Sequence, residues 1–262
     1  MCRWIAYKGV PAYMASLISI PAHSLVAQSL RADEAKTVTN GDGFGVGWYG
    51  DHAEPGLYRE IRPAWSDENL KSLCAQVRSH LFFAHVRAST GTAIARANCH
   101  PFAHGRTMFM HNGQIGGYCA IKRQVEALIP DNLYAHRSGT TDSEAMFLSI
   151  LARSAASDMV AAVAATLGTI QRLMRQSDIG EALRFTAAIT DGLDLFAFRW
   201  ASDDKAPSLY WREDAAGLVV VSEPLDDAHD HWREVPKGCA LVARHGQAVK
   251  MACLDAAMQL AA

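Results

Sequence analysis

Several signatures are missing from this sequence of 262 residues, and each absence narrows what the protein can be. No pair of its six cysteines, at positions 2, 74, 99, 119, 239 and 253, has the C-x-x-C spacing of a zinc site or a redox motif. No uninterrupted apolar run reaches the roughly 18–20 residues that a membrane span needs. The opening Met1-Cys2-Arg3-Trp4-Ile5-Ala6-Tyr7 has neither a long apolar core nor a small-residue cleavage site. Basic residues are not in excess: 25 lysines and arginines face 27 acidic residues, a net charge of −2. That balance argues against a nucleic-acid binder held by phosphate neutralisation. H-E-x-x-H and G-x-S-x-G are absent, so the hydrolase chemistry that depends on a nucleophile elbow has no support. There is also no internal repeat and no low-complexity linker.

What is present is the composition of a packed globular protein, 50% hydrophobic and 20% charged. The length suits one large domain or a fused pair, and a core of this size needs no disulfides. The expectation is a cytoplasmic protein with reduced thiols and no membrane or nucleic-acid partner.

Strands are expected over 2–7 and over the glycine-alternating Gly43-Phe44-Gly45-Val46-Gly47-Trp48-Tyr49. In the latter, one face is stripped of side chains so that another backbone or a ligand can come close. A helix over 67–77 follows a Ser66 cap, then a strand runs through Phe82, Phe83 and Val86. Residues 107–112 form a further strand ending in the turn signal Asn112-Gly113. A helix covers 117–128 and stops before Pro130. Thr141-x-x-Glu144 has the capping-box pattern ahead of an apolar run, with Asp142 in the first turn, and another helix spans 157–176. From Arg184 onward short β-segments follow at 184–190, 194–200, 208–212, 217–222, 239–244 and 247–252. Strands, then two helices, then strands indicate α+β layers.

Two formal motif matches fail on context. Gly45-Val-Gly47-Trp-Tyr-Gly50 fits G-x-G-x-x-G, but a turn follows at 51–56 where a phosphate-binding helix should begin. His100 and His104 stand four apart, but Pro101 disfavours the helical backbone that a metal-binding pair would need. No metal is expected.

Cys2 is different in kind. Removal of the initiator methionine would leave it with a thiol nucleophile and a free α-amine in one residue. With a reference pKa near ~8, that amine can accept the thiol proton directly or through a water. Downstream lie His85-Val-Arg87-Ala-Ser-Thr90, Asn98-Cys-His100-Pro-Phe102, Met110-His-Asn112-Gly113 and Thr141-Asp142-Ser-Glu144. Singly, each has an ordinary explanation: Arg87 a strand-end ion pair, Asn112-Gly113 a turn, Asp142 a helix-capping charge. In this order and at these spacings, over about residues 2–150, they resemble the glutaminase domain of class II glutamine amidotransferases, which are N-terminal nucleophile hydrolases. The small stand-alone members are most similar, including the γ-glutamyl hydrolases of ergothioneine biosynthesis. Gly41-Asp-Gly-Phe-Gly-Val-Gly-Trp-Tyr49 and Val221-Ser222-Glu223-Pro224-Leu225-Asp226 also resemble that subgroup.

The resemblance implies one domain over 1–262 with the four-layer αββα sandwich of N-terminal nucleophile hydrolases, acting without cofactor or metal. It implies that Cys2 attacks the γ-amide of glutamine or a γ-glutamyl conjugate through a γ-glutamyl-thioester. Asn112 and the Gly113 N–H would form the oxyanion hole. Arg87 would fork onto the substrate α-carboxylate and Asp142 would take its α-ammonium. Thr90 and His100 would line or brace the pocket, and the resemblance leaves open whether His85 and His104 do more than pack. Ala88 stands where many members carry tryptophan, which leaves room for a substrate larger than glutamine. No synthase domain follows, so the partner expected is a small γ-glutamyl substrate. The alternatives are a glutaminase subunit supplying ammonia to a separate synthase, or an idle binding protein on the same fold.

Overall fold

The computed structural model describes residues 2–32, 39–89, 91–155 and 158–260. In chain order its strands are β1 (Arg3–Tyr13), β2 (Phe44–Trp48), β3 (Gly56–Glu60), β4 (Arg78–Val86), β5 (Phe102–His104), β6 (Thr107–Ile115), β7 (Leu183–Thr190), β8 (Leu195–Ala201), β9 (Tyr210–Glu213), β10 (Gly217–Val221), β11 (Arg233–Glu234), β12 (Cys239–Ala243) and β13 (Lys250–Cys253). The helices are α1 (Ala15–Ile18), α2 (Leu25–Leu30), α3 (Glu68–Gln76), α4 (Tyr118–Glu126), α5 (Asp131–Tyr134), α6 (Asp142–Ser154), α7 (Met159–Gln176) and α8 (Leu254–Leu260). Among the described residues no helix is long and apolar enough to cross a membrane.

The strands form two antiparallel sheets, seven-stranded in the order β11-β9-β10-β1-β4-β2-β3 and six-stranded in the order β13-β12-β8-β7-β6-β5. Side chains alternate between the two faces of a strand, and that alternation builds the layers. Trp4 and Ala6 of β1, Leu81 and Phe83 of β4, Met108 and Met110 of β6, and Leu218 and Val220 of β10 fill one core between the sheets. Their neighbours point the other way. Ile5, Phe82 and Val219 meet α1, α2 and α3 through Ile18, Leu25 and Leu70. Phe109, Phe185 and Phe198 meet α4, α6 and α7 through Ile121, Phe147 and Leu167. Helix, sheet, sheet, helix is the αββα sandwich that the sequence led us to expect.

Three local expectations are corrected. Asn112-Gly113 is not a turn: β6 continues to Ile115, with Asn112 opposite Thr186 and Gly113 opposite Phe185. The chain reverses instead after Gly116-Gly117, where Gly117 has φ 61°. The cap of α3 is Asp67 and not Ser66, because the Asp67 carboxylate accepts from Leu70 N at 2.7 Å. The capping box at α6 is half formed. Thr141 Oγ1 accepts from Glu144 N at 3.2 Å, but the Glu144 carboxylate turns to the preceding loop and accepts from Ser138 N and Gly139 N at 2.9 and 2.7 Å.

The glycine-rich β2 behaves as its pattern predicts. A Cβ on Gly45 would lie 2.2 Å from the His100 carbonyl oxygen, and one on Gly47 would lie 2.5 Å from Met108 Sδ. Side-chain-free positions therefore let the 99–101 backbone lie directly against the sheet.

Candidate active site

Cys2 sits one residue ahead of β1, at the wall of a cavity of about 490 Å³ that Arg87, His100, Gly113 and Asp142 also line. That volume falls within the roughly 300–1,000 Å³ of small-ligand sites. The Cys2 thiol accepts from Ala88 N at 3.5 Å and lies 3.6 Å from Ala88 O. Burial pushes the thiol pKa up, against the pull of the Ala88 backbone and of the Arg87 and Arg3 charges. The resting group is thus a protonated thiol that needs a base to become a nucleophile.

Arg87 follows the end of β4, and its backbone N–H donates to Gly43 O at 2.8 Å. Its guanidinium is buried and touches neutral acceptors: Asp42 O at 3.4 Å, Ser89 Oγ at 3.3 Å, Thr92 Oγ1 at 2.5 Å and Ala93 O at 3.3 Å. No carboxylate among the described residues pairs with it. Among the described residues the strand-end ion pair is therefore not formed, and the guanidinium lines the cavity with no carboxylate partner there.

Asp142 is the first residue of α6, at the helix N-terminus. Oδ2 accepts from Ile115 N at 2.8 Å and Oδ1 from Ser143 N at 2.8 Å. It, too, has no charged partner among the described residues. One cavity thus presents an unpaired cation, an unpaired anion and a thiol.

Gly113 lies on the cavity wall because nothing else fits: a Cβ there would stand 2.0 Å from Arg184 O and 2.5 Å from His111 Nε2. Asn112 is buried behind it and does not line the cavity. Its Nδ2 donates to the Cys2 carbonyl at 3.0 Å, a bond that joins the two sheets at the thiol. Thr90 lies outside the described residues.

His100 is buried at the cavity edge, its ring 4.4 Å from that of His85 and 4.5 Å from Phe102. Burial depresses both imidazoles, His85 to about 3 and His100 well below its ordinary value. They are neutral near pH 7, and His85 packs behind His100 without reaching the cavity. His104 is not a cavity residue; its ring packs on His136 at 4.6 Å.

Two contributors went unassigned from the sequence. His111, next to Asn112, places Nδ1 2.8 Å from Ser143 Oγ and Nε2 3.2 Å from Arg184 O. Because Nε2 faces a carbonyl it carries the proton, and Nδ1 accepts from the Ser143 hydroxyl. The imidazole ties β6 to the start of α6, beside Asp142. Thr92, whose hydroxyl meets Arg87, is the other. The signals were present in Met110-His111-Asn112-Gly113 and in the hydroxyl-rich run after Arg87, but neither spacing shows which hydroxyl bends back.

Residues 14–206 match the family model described as Glutamine amidotransferases class-II. The chain belongs to the class II glutamine amidotransferases. It is 32% identical over 295 aligned residues to the probable glutamine amidotransferase DUG3 of Saccharomyces cerevisiae, covering 93% of this chain and 82% of that one. A gamma-glutamyl-hercynylcysteine sulfoxide hydrolase of Mycolicibacterium smegmatis is 29% identical, with 90% and 92% of the two chains covered. Among solved structures, a glutamine aminotransferase class-II domain protein from Silicibacter pomeroyi superposes with a TM-score of 0.76 at 36% identity, over 97% of this chain and 99% of that one. The glutamine phosphoribosylpyrophosphate amidotransferase of B. subtilis shares the fold at a TM-score of 0.62 and 15% identity, over 97% of this chain and 49% of its own. As a class II amidotransferase, the protein is an enzyme of the N-terminal nucleophile type in fold.

Proposed function

We propose that this amidotransferase hydrolyses the γ-amide bond of a γ-glutamyl conjugate through a thioester on Cys2, and that its specificity resides in the glutamyl head group. The observation that carries the reading is the pair of uncompensated charges, Arg87 and Asp142, lining the cavity that Cys2 borders. A buried guanidinium without a carboxylate is costly unless a ligand supplies one. An α-amino acid brings a carboxylate for Arg87 and an ammonium for Asp142, and each group corrects one imbalance.

With Met1 removed, the Cys2 α-amine takes the thiol proton and the sulfur attacks the γ-carbonyl carbon. We assign the developing oxyanion to the Gly113 N–H on the cavity wall and to the second N–H of the Asn112 amide, which must reach it from just behind that wall because its first N–H holds the Cys2 carbonyl. The α-ammonium returns its proton to the leaving amine as the C–N bond breaks, and a γ-glutamyl-thioester remains. Water then attacks the thioester with the α-amine as base, and glutamate leaves. Arg87, Asp142 and His100 hold the head group. The small Ala88 beside the thiol favours a leaving group larger than ammonia, and the two relatives named as hydrolase and amidotransferase are consistent with this class of substrate.

The test is glutamate release by methionine-free protein from glutamine and from a panel of γ-glutamyl amides. Turnover is expected with at least one of the amides and none with Cys2→Ala. Release that persists in Cys2→Ala would falsify the mechanism.

A further inference from the structure

The end of a chain is ordinarily its least ordered part, yet a nucleophile has to be held within about 0.5 Å of its working geometry. Cys2 precedes the first ladder pair, Arg3 opposite Val86, so the sheet itself does not hold it. Its carbonyl is instead gripped from two sides, by Asn112 Nδ2 at 3.0 Å and by Arg3 Nη1 at 3.2 Å. The Arg3 side chain is fully buried, 0% exposed, and its Nε donates to Glu223 Oε2 at 2.7 Å.

Glu223 belongs to Val221-Ser222-Glu223-Pro224, a motif with no part in the reaction above. The segment is fastened to the start of the chain. Ser222 Oγ accepts from Trp4 N at 2.9 Å, and Ser222 N donates to Trp4 O at 3.1 Å. From α2, Gln28 Nε2 donates to the carbonyls of Glu223 and Pro224 at 3.3 and 3.2 Å. The backbone that carries this carboxylate is thereby tied to two separate elements, β1 and α2.

Stability alone is a poor reason for this arrangement. Desolvating two charges offsets most of their attraction, and well-packed apolar residues often serve as well or better. Arg3 Nη2 is in addition buried with no hydrogen-bond partner among the described residues, a further cost. An apolar pair would fill the space, but it could not donate to the Cys2 carbonyl.

We propose that Arg3, locked in place by Glu223, is a positioning residue: its guanidinium fixes the Cys2 peptide and so aims the thiol at the cavity. The proposal rests on the reading of Cys2 as the nucleophile. It makes the Ser222-Glu223 segment, some 220 residues away in sequence, a part of the machinery for the first residues of the chain.

Two variants test it: the doubly apolar Arg3→Met/Glu223→Leu, and Arg3→Lys, which keeps the charge but loses the fork. For each, thermal midpoint, kcat and KM for glutamate release, and the rate of iodoacetamide labelling of Cys2 (by peptide mass) are compared with wild type. The apolar pair should fold with an undiminished midpoint. Both variants should show kcat at least tenfold lower, KM within twofold, and Cys2 labelling at least threefold faster, because the loosened thiol leaves its Ala88 contacts. Wild-type kcat together with unchanged labelling in either folded variant overturns the proposal. Failure of both variants to fold overturns it as well, since the pair would then be structural. If wild type itself releases no glutamate, the functional reading fails while the labelling comparison still decides the positioning role.

Discussion

Among the described residues, the buried Arg87 guanidinium is held by hydroxyls and carbonyls alone, the feature on which its proposed binding role rests. A structural arginine in so buried a position would be expected to have its carboxylate. If it reads the substrate carboxylate, Arg87→Lys loses the bidentate fork while keeping the charge. A hydrogen bond to a charged group contributes about 1.5–3 kcal/mol. The KM for a γ-glutamyl amide should therefore rise about ten- to a hundredfold while kcat stays within about threefold. Initial-rate measurements over a range of substrate concentrations give both constants. A fall in kcat at constant KM would assign Arg87 to the chemical step.

The elements matter because each delivers one or two side chains to the cavity. β6 carries His111, Asn112 and Gly113, and its close pairing with β7 leaves no space at Gly113. Gly113→Ala should force the strand away from Arg184, at about 1–3 kcal/mol of stability by the cost of overpacking, and should lower turnover by moving the oxyanion donors. Denaturant titration and activity measured together test this; an alanine variant of unchanged stability contradicts the geometry. The same strand marks where the sequence ran out. Asn-Gly is a turn signal by local propensity, but the apolar alternation before it and a partner strand some 70 residues away extended β6 through the pair. The Ser66 and capping-box corrections have the same character: they concern which polar side chain wins a local hydrogen bond. By contrast, the apolar strands β4, β7 and β8, buried on both faces, and the long amphipathic α7 were legible because their apolar runs and helical periodicity are what bury them. Of the site, Cys2, Arg87, Gly113 and Asp142 were legible by resemblance and share one cavity. Asn112, equally legible, lies just behind it. The His111–Ser143 link and the Arg3–Glu223 clamp were not, because long-range pairings leave no spacing in the chain.

Across the whole molecule, the sandwich buries a group of imidazoles beside the thiol and keeps them neutral. An unfolded histidine titrates near 6.5, whereas folded His85 is held to about 3, with His100 and His111 also depressed. Between those values the unfolded chain binds more protons than the folded one. This contribution to stability is therefore fully present above about pH 6.5 and is lost as the pH falls toward 3, by up to about 1.4 kcal/mol per pH unit for each group. Thermal midpoints should fall steadily from pH 7 to pH 4. A flat or rising profile would mean that these rings are charged in the folded state.

The two-sheet architecture brings the second residue of the chain against a strand more than a hundred residues away, at a cavity that Arg87 and Asp142 also line. The central claim is that this residue forms a covalent bond to substrate. It is tested most directly by mixing methionine-free enzyme with a γ-glutamyl amide, quenching in acid within the first turnover, and measuring the mass of the N-terminal peptide. The account predicts a γ-glutamyl adduct on Cys2 that disappears as glutamate is released. Glutamate release with no adduct at any time point, or an adduct on another residue, would contradict it.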